Sequence, residues 1–103
     1  MYRWVRLEKI QDNPSRCLIL SGGDLYTGPA LSTWFKGEST IDVMNAMGYQ
    51  AAAIGNHDFD YGLANLRARA EQAAFPLFSA NIRRKDDGKV PEFIQPYIVK
   101  EVN

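Results

Sequence analysis

The chain has 103 residues, 46% of them hydrophobic and 12% aromatic, which suits one globular domain with its own core and is too short for two. Twelve basic residues balance twelve acidic ones, so no overall field recruits a nucleic acid polymer or an anionic membrane, and affinity for phosphate must come from a local site. Residues Met1 to Arg6 lack the apolar stretch of a signal peptide, and no segment reaches the roughly 18 apolar residues of a membrane span, so no membrane partner is expected. The single cysteine, Cys17, sits in an apolar run, reads as a small buried hydrophobe and can form no internal disulfide.

Taken in order, Trp4, Leu7 and Ile10 recur at helical spacing among charged residues and predict a short amphipathic helix, stopped by Asp12-Asn13-Pro14. Residues 17 to 21 form an apolar run without alternation, the pattern of a strand buried on both faces of a parallel sheet. Gly22-Gly23 then permit a sharp turn that leaves Asp24 at the strand's end. A helix is predicted from about Pro29, with Leu31, Trp34 and Phe35 on one face and Gly37 at its end. A second is predicted from Ser39, an N-cap with Asp42 three residues on, running with Ile41, Met44 and Met47 inward to Gly48.

Strand 50 to 54 returns parallel to the first, and the distance from Asp24 to Asn56 matches the 30 or so residues of a βαβ unit. A third helix places Leu63, Leu66 and Ala70 on its inner face and closes at Phe75-Pro76. Residues 77 to 80 make a third parallel strand, with Asn81 at its end on the same edge, where it is assigned no chemistry. The run Arg83 to Lys89 reads as a solvated charged turn, and Tyr97 to Val102 as the outermost strand. The fold class is α/β, a three-layer arrangement with parallel strands and crossover helices.

Two loops carry the chemistry, Gly22-Gly23-Asp24 and Gly55-Asn56-His57-Asp58-Phe59-Asp60. On neighbouring parallel strands, roughly 4.8 Å apart, they emerge at the edge where open α/β sheets place ligands. A carboxylate such as Asp24 can bridge two divalent ions, and Asn56 can give its carbonyl oxygen to one of them without adding charge. Two ions about 3.5 to 4 Å apart clamp a phosphate and activate water. His57 would then stabilise developing charge and protonate the leaving oxygen, with Asp58 or Asp60 holding its ring. Rival readings need no chemistry: Asp24 as a turn cap, Asn56 as a turn residue, and Asp60 as the N-cap of the third helix. For Tyr26, Trp34 and Phe35, core packing is expected over a base-stacking surface.

Those two loops, together with Gly28, Lys36-Gly37-Glu38, Ile41-Asp42, Met47-Gly48-Tyr49 and Ser79-Ala80-Asn81-Ile82, resemble the catalytic domain of the 5′-nucleotidase branch of the calcineurin-like metallophosphoesterases. The likeness covers roughly residues 17 to 103. It implies a partial metallophosphoesterase fold and hydrolysis of nucleotides or other phosphoesters with two divalent metal ions, among which Mn, Zn, Fe and Ca are not distinguished. By position, Asp24 matches the bridging metal ligand and Asn56 a ligand of one metal. His57 matches the transition-state histidine and Asp60 the residue that orients it, with Asp58 second as orienter.

The same family pattern includes an Asp-x-His strand before Gly22, histidines well downstream and a C-terminal nucleoside-binding domain, none of which is in this sequence. The chain is therefore expected to be an internal piece, residues 1–103 of a partial catalytic domain, inactive alone and partnered by the remaining parts of the same protein. Intact relatives are often periplasmic or extracellular. The alternatives are a non-catalytic α/β binding module, or a sister hydrolase acting on cyclic nucleotides, nucleotide sugars or a sulfur ester.

Overall fold

The computed structural model describes residues 17–101; the helix predicted near the start and the last two residues lie outside them. Three short parallel strands form one sheet, β1 (Leu20–Ser21), β2 (Ala51–Ala53) and β3 (Leu77–Phe78), in the order β1-β2-β3. Register pairs Ser21 with Ala52 and Ala53 with Phe78. Parallel neighbours need crossovers, and both are helical. Helices α1 (Ala30–Trp34) and α2 (Glu38–Met47) join β1 to β2, and α3 (Leu63–Gln72) joins β2 to β3. Backbone bonds run past the paired residues, from Gln50 N–H to Ile19 O at 2.9 Å and from Ile54 N–H to Phe78 O at 3.1 Å. The sheet thus follows the three predicted runs.

Ala52 and its partner Leu77 lie in one buried cluster with Ile41 and Met44 of α2, Leu66 of α3 and the loop residue Tyr26. Both long helices therefore cover the same face of the sheet, so the described residues supply the sheet and one of the helical layers. Side-chain bonds lock the helices together: Gln72 Nε2 donates to Glu38 O at 3.0 Å and to Asp42 Oδ1 at 2.6 Å, and Asn45 Nδ2 donates to Gln72 O at 3.0 Å. No helix among the described residues is long and apolar enough to cross a membrane.

Several local expectations are corrected. The first apolar run is not buried on both faces: Leu18 and Leu20 are exposed, and Leu20, paired with Ala51 beside the core residue Ala52, lies on the face turned away from α2 and α3. Helix α1 has only five residues and buries Ser32; the Ser32 hydroxyl donates to Tyr26 O at 2.9 Å and accepts from Thr40 Oγ1 at 2.6 Å. Trp34 is 82% exposed and Phe35 is exposed too, while Tyr26 is fully buried. Core packing therefore holds for the tyrosine alone. Ser39 does not cap α2, which starts one residue earlier behind Gly37.

The outermost pairing is also displaced. It falls at Gln95, whose N–H donates to Leu77 O at 3.0 Å and whose carbonyl accepts from Ser79 N–H at 2.8 Å. Pro96 follows with no N–H to give, and Tyr97 to Glu101 form no strand. The charged turn answers its own charges: Arg84 pairs with Asp87 and Glu92.

Gly37 serves two purposes. Its φ of 86° follows Lys36 at 51°, both left-handed, which lets α2 start with only three residues between it and α1. A Cβ there would also overlap the ring of Tyr26. Gly48 ends α2 at φ 77° with open space around it. Urea denaturation should therefore rank the two alanine variants: Gly48→Ala costs about 1 kcal/mol from backbone strain, and Gly37→Ala costs at least about 2 kcal/mol because strain and overlap add. Equal losses would show that Tyr26 yields freely.

Candidate active site

The turn after β1 and the turn after β2 meet backbone to backbone. A Cβ on Gly23 would come within 2.6 Å of the Gly55 nitrogen, and one on Gly55 would overlap the Asp24 carboxylate. Both positions are glycine because nothing larger fits the approach. Asp24 takes a left-handed φ of 56°, sparsely populated for a non-glycine residue. Its Oδ1 accepts the His57 backbone N–H at 3.0 Å. Asp24, Asn56 and His57 thus gather at one rim of the sheet, as their places in the sequence predict.

One carboxylate ties this junction together. Asp58 is 1% exposed. Its Oδ2 accepts N–H groups from Asp24 at 3.0 Å and Gly55 at 2.8 Å, and its Oδ1 accepts from Leu25 at 2.5 Å. Burial pushes the Asp58 carboxyl above its ordinary value, and the N–H groups of Gly55, Leu25 and Asp24 pull it part of the way back. Asp58 as second orienter of the histidine is therefore wrong, since both of its oxygens are spent on backbone. A signal was present in the sequence: Asp58 stands three residues after Gly55, the place from which a side chain returns to the N–H at the start of a helical turn.

The ring of His57 is held instead by Asp60, with Nδ1 at 2.9 Å from Oδ2. Residues 56–59 form a 3₁₀ turn that Asp60 ends. At three residues per turn, positions i and i+3 eclipse, which brings Asp60 over His57. The rival reading of Asp60 as N-cap of α3 fails, because Gly62 occupies that place. The bond and the charge of Asp60 hold the imidazole above its ordinary value, with Asp24 and Asp58 adding to the effect. Because Nδ1 faces Asp60, Nε2 is the nitrogen left for a ligand. The ring and the carboxylate are about half exposed.

The donor set suits a divalent cation in kind. Asp24 and Asn56 offer oxygen atoms, the donors that hard cations prefer, from two turns that the backbone contact holds together. Among the described residues there is no cluster of three or more His, Cys, Asp or Glu side chains able to hold a metal, so this pair would supply only part of a coordination shell.

Two substitutions separate the roles of the carboxylates. Asp58→Asn keeps an oxygen for two of the three N–H groups and should cost about 1–3 kcal/mol, with Asp58→Ala costing more, both read by urea denaturation. Asp60→Asn should lower the midpoint of the His57 imidazole, followed by NMR without metal. The folded value in the parent is raised, so the pair's contribution to stability is complete below about pH 6.5 and is lost as pH rises through the folded value. An unchanged midpoint would mean that the bond does not persist in solution.

No family model matches the chain, but individual proteins do. Over 98 residues it is 41% identical to snake venom 5′-nucleotidase of Gloydius brevicauda, covering 94% of this chain and 16% of that protein. Over 72 residues it is 49% identical to protein UshA of Escherichia coli strain K12, covering 70% of this chain and 13% of that protein. Among solved structures, the NAD nucleotidase of Haemophilus influenzae superposes with a TM-score of 0.77 at 31% identity, covering 95% of this chain and 19% of the other. The chain spans about a sixth of the length of the first of these curated relatives. In sequence and in fold it belongs to the 5′-nucleotidase branch of the calcineurin-like metallophosphoesterases.

Proposed function

We propose that this chain forms part of a metal-dependent phosphoester hydrolase acting on nucleotides, with Asp24 and Asn56 as metal ligands, His57 as the catalytic acid and Asp60 as the residue that positions it. The observation that carries the reading is the convergence of these residues at one rim, where Asp24 touches the His57 backbone and Asp60 holds the His57 ring. The names of the relatives support nucleotides as substrates. The likeness to venom enzymes supports a setting outside the cytoplasm.

Divalent ions bound by Asp24 and Asn56 would polarise the phosphoryl group and offset its negative charge. The chain's own residues handle the proton. Asp60 accepts from Nδ1–H and so keeps the imidazole turned with Nε2 toward the substrate. As water adds to phosphorus on the opposite side, the protonated ring gives its Nε2 proton to the ester oxygen whose bond to phosphorus breaks, so phosphate and a neutral nucleoside alcohol depart. Asp60 also favours the charged imidazole needed before transfer. Asp58 takes no proton and touches no substrate; it fixes the distance between the turns. The other metal ligands and the nucleoside pocket belong to the rest of the protein.

Two measurements test this. The isolated chain should bind Mn²⁺ weakly and turn over no activated aryl phosphate; clear turnover that His57→Ala abolishes would refute the claim that its metal site is partial. Grafted in place of the matching 98-residue segment of the Gloydius brevicauda enzyme, it should support nucleotide hydrolysis, and His57→Ala in the graft should lower kcat by about 10²–10⁴. A folded graft indifferent to that substitution would sink the assignment.

A further inference from the structure

Asp24 carries its exposed carboxylate on a left-handed backbone, with φ at 56°, a conformation unfavourable for any residue with a Cβ. Such residues persist only where the chain around them is fixed. Upstream, Ser21 pairs with Ala52 in the sheet and Gly23 lies against the Gly55 backbone. Asp58 takes the N–H groups of Asp24 and Leu25. Those bonds reach as far as Leu25, so the downstream side of the turn depends on what holds Tyr26.

Tyr26 is anchored twice. Its side chain is fully buried and lies so close to Gly37, just ahead of α2, that no Cβ fits there. Its carbonyl accepts the Ser32 hydroxyl of α1 at 2.9 Å. Ser32 is buried, and its oxygen accepts the Thr40 hydroxyl of α2 at 2.6 Å. A serine hydroxyl has one proton to give. With Thr40 donating into that oxygen, the Ser32 proton is directed at Tyr26 O, and the bonds run one way from Thr40 through Ser32 to Tyr26.

We propose that Ser32, oriented by Thr40, is a positioning residue for Asp24: its bond to Tyr26 O closes the downstream side of the left-handed turn and fixes where the Asp24 carboxylate meets a divalent ion. The inference rests on the phosphoester reading, in which Asp24 is a metal ligand, and deepens it. It also gives the five-residue helix α1 a task. The residue that α1 buries is Ser32, not an apolar side chain, and the helix brings its hydroxyl back over a carbonyl six residues earlier. Groups that never touch a metal set its affinity by holding the ligands that do.

The test uses the full chain and two readouts. The His57 backbone amide, which donates to Asp24 Oδ1, is followed by NMR without metal, and Mn²⁺ binding by paramagnetic broadening of residues 55–57. Ser32→Ala should move the His57 amide signal and weaken Mn²⁺ about tenfold. Thr40→Val, which keeps the shape and loses the donor at a half-buried position, should move both readouts the same way by less, and Thr40→Ser should keep the parent values. Gly48→Ala lowers stability at the far end of α2 and should leave both readouts in place, so loss of stability alone does not imitate the effect. If Ser32→Ala fails to fold, the two Thr40 variants decide. Folded Ser32→Ala or Thr40→Val chains with the parent's His57 amide and Mn²⁺ affinity, while Asp24→Ala still weakens Mn²⁺, would overturn this inference and spare the phosphoester reading. Mn²⁺ binding indifferent to Asp24→Ala would remove both.

Discussion

The site depends on one buried carboxylate. Asp58 joins turns more than thirty residues apart in sequence by accepting N–H groups from Asp24, Leu25 and Gly55. Removing a carboxylate from water costs several kcal/mol, and only charge-assisted bonds from fixed donors offset a cost of that size. Those donors exist because the Gly23-Asp24 turn is left-handed at two successive residues, φ 106° and 56°, which points adjacent N–H groups the same way. A left-handed residue with a side chain costs about 1–2 kcal/mol. The strain at Asp24 and the burial of Asp58 each make the other tolerable.

This mutual dependence explains why the sequence is legible at the scale of elements and less so at the scale of side chains. The βαβ spacing, the glycines before Asp24 and the apolar runs each follow from local rules, and the parallel three-stranded sheet comes out as they predict. Asp60 as partner of His57 is legible too, from the family resemblance and from the spacing of three. What fails does so where a neighbour overrides a local preference. Ser39 is a good N-cap by type, yet Gly37 turns the chain first and the helix begins before the serine is reached. Trp34 and Phe35 share a face by periodicity, but a five-residue helix has room to bury only one residue, and Ser32 takes that place because its hydroxyl has Tyr26 O and Thr40 to bond. Tyr97 to Val102 is β-prone, and Pro96 stops the ladder just before it. The role of Asp58 was legible only in part, from its place three residues after Gly55. Its sequence reading as a holder of the His57 ring fails because the loop folds over it and both oxygens go to backbone N–H groups.

Three aspartates crowd the rim, and their surroundings give them separate work. Asp58 is enclosed and its oxygens are saturated by backbone donors, so it has no capacity for a ligand or a proton partner. Asp60 is half exposed and spends one oxygen on His57. Asp24 spends one oxygen on the His57 backbone and keeps the other clear of hydrogen bonds to the described residues. Identity of side chain therefore says little about role here; the partners decide it.

The 3₁₀ turn over residues 56–59 is what sorts consecutive side chains into these settings. With three residues per turn, His57 and Asp60 fall on one line facing solvent, and Asp58, one-third of a turn away, is directed into the protein. An α-helical turn at the same place would leave position 60 about 60° short of position 57, loosening the hold of Asp60 on the imidazole. The tight turn also stops after a single cycle, which leaves Gly62 free to start α3 and Leu66 to enter the core. Local geometry of one short turn thus couples the imidazole, the carboxylate that holds it and the backbone clamp, so a change at any one of them reaches the other two.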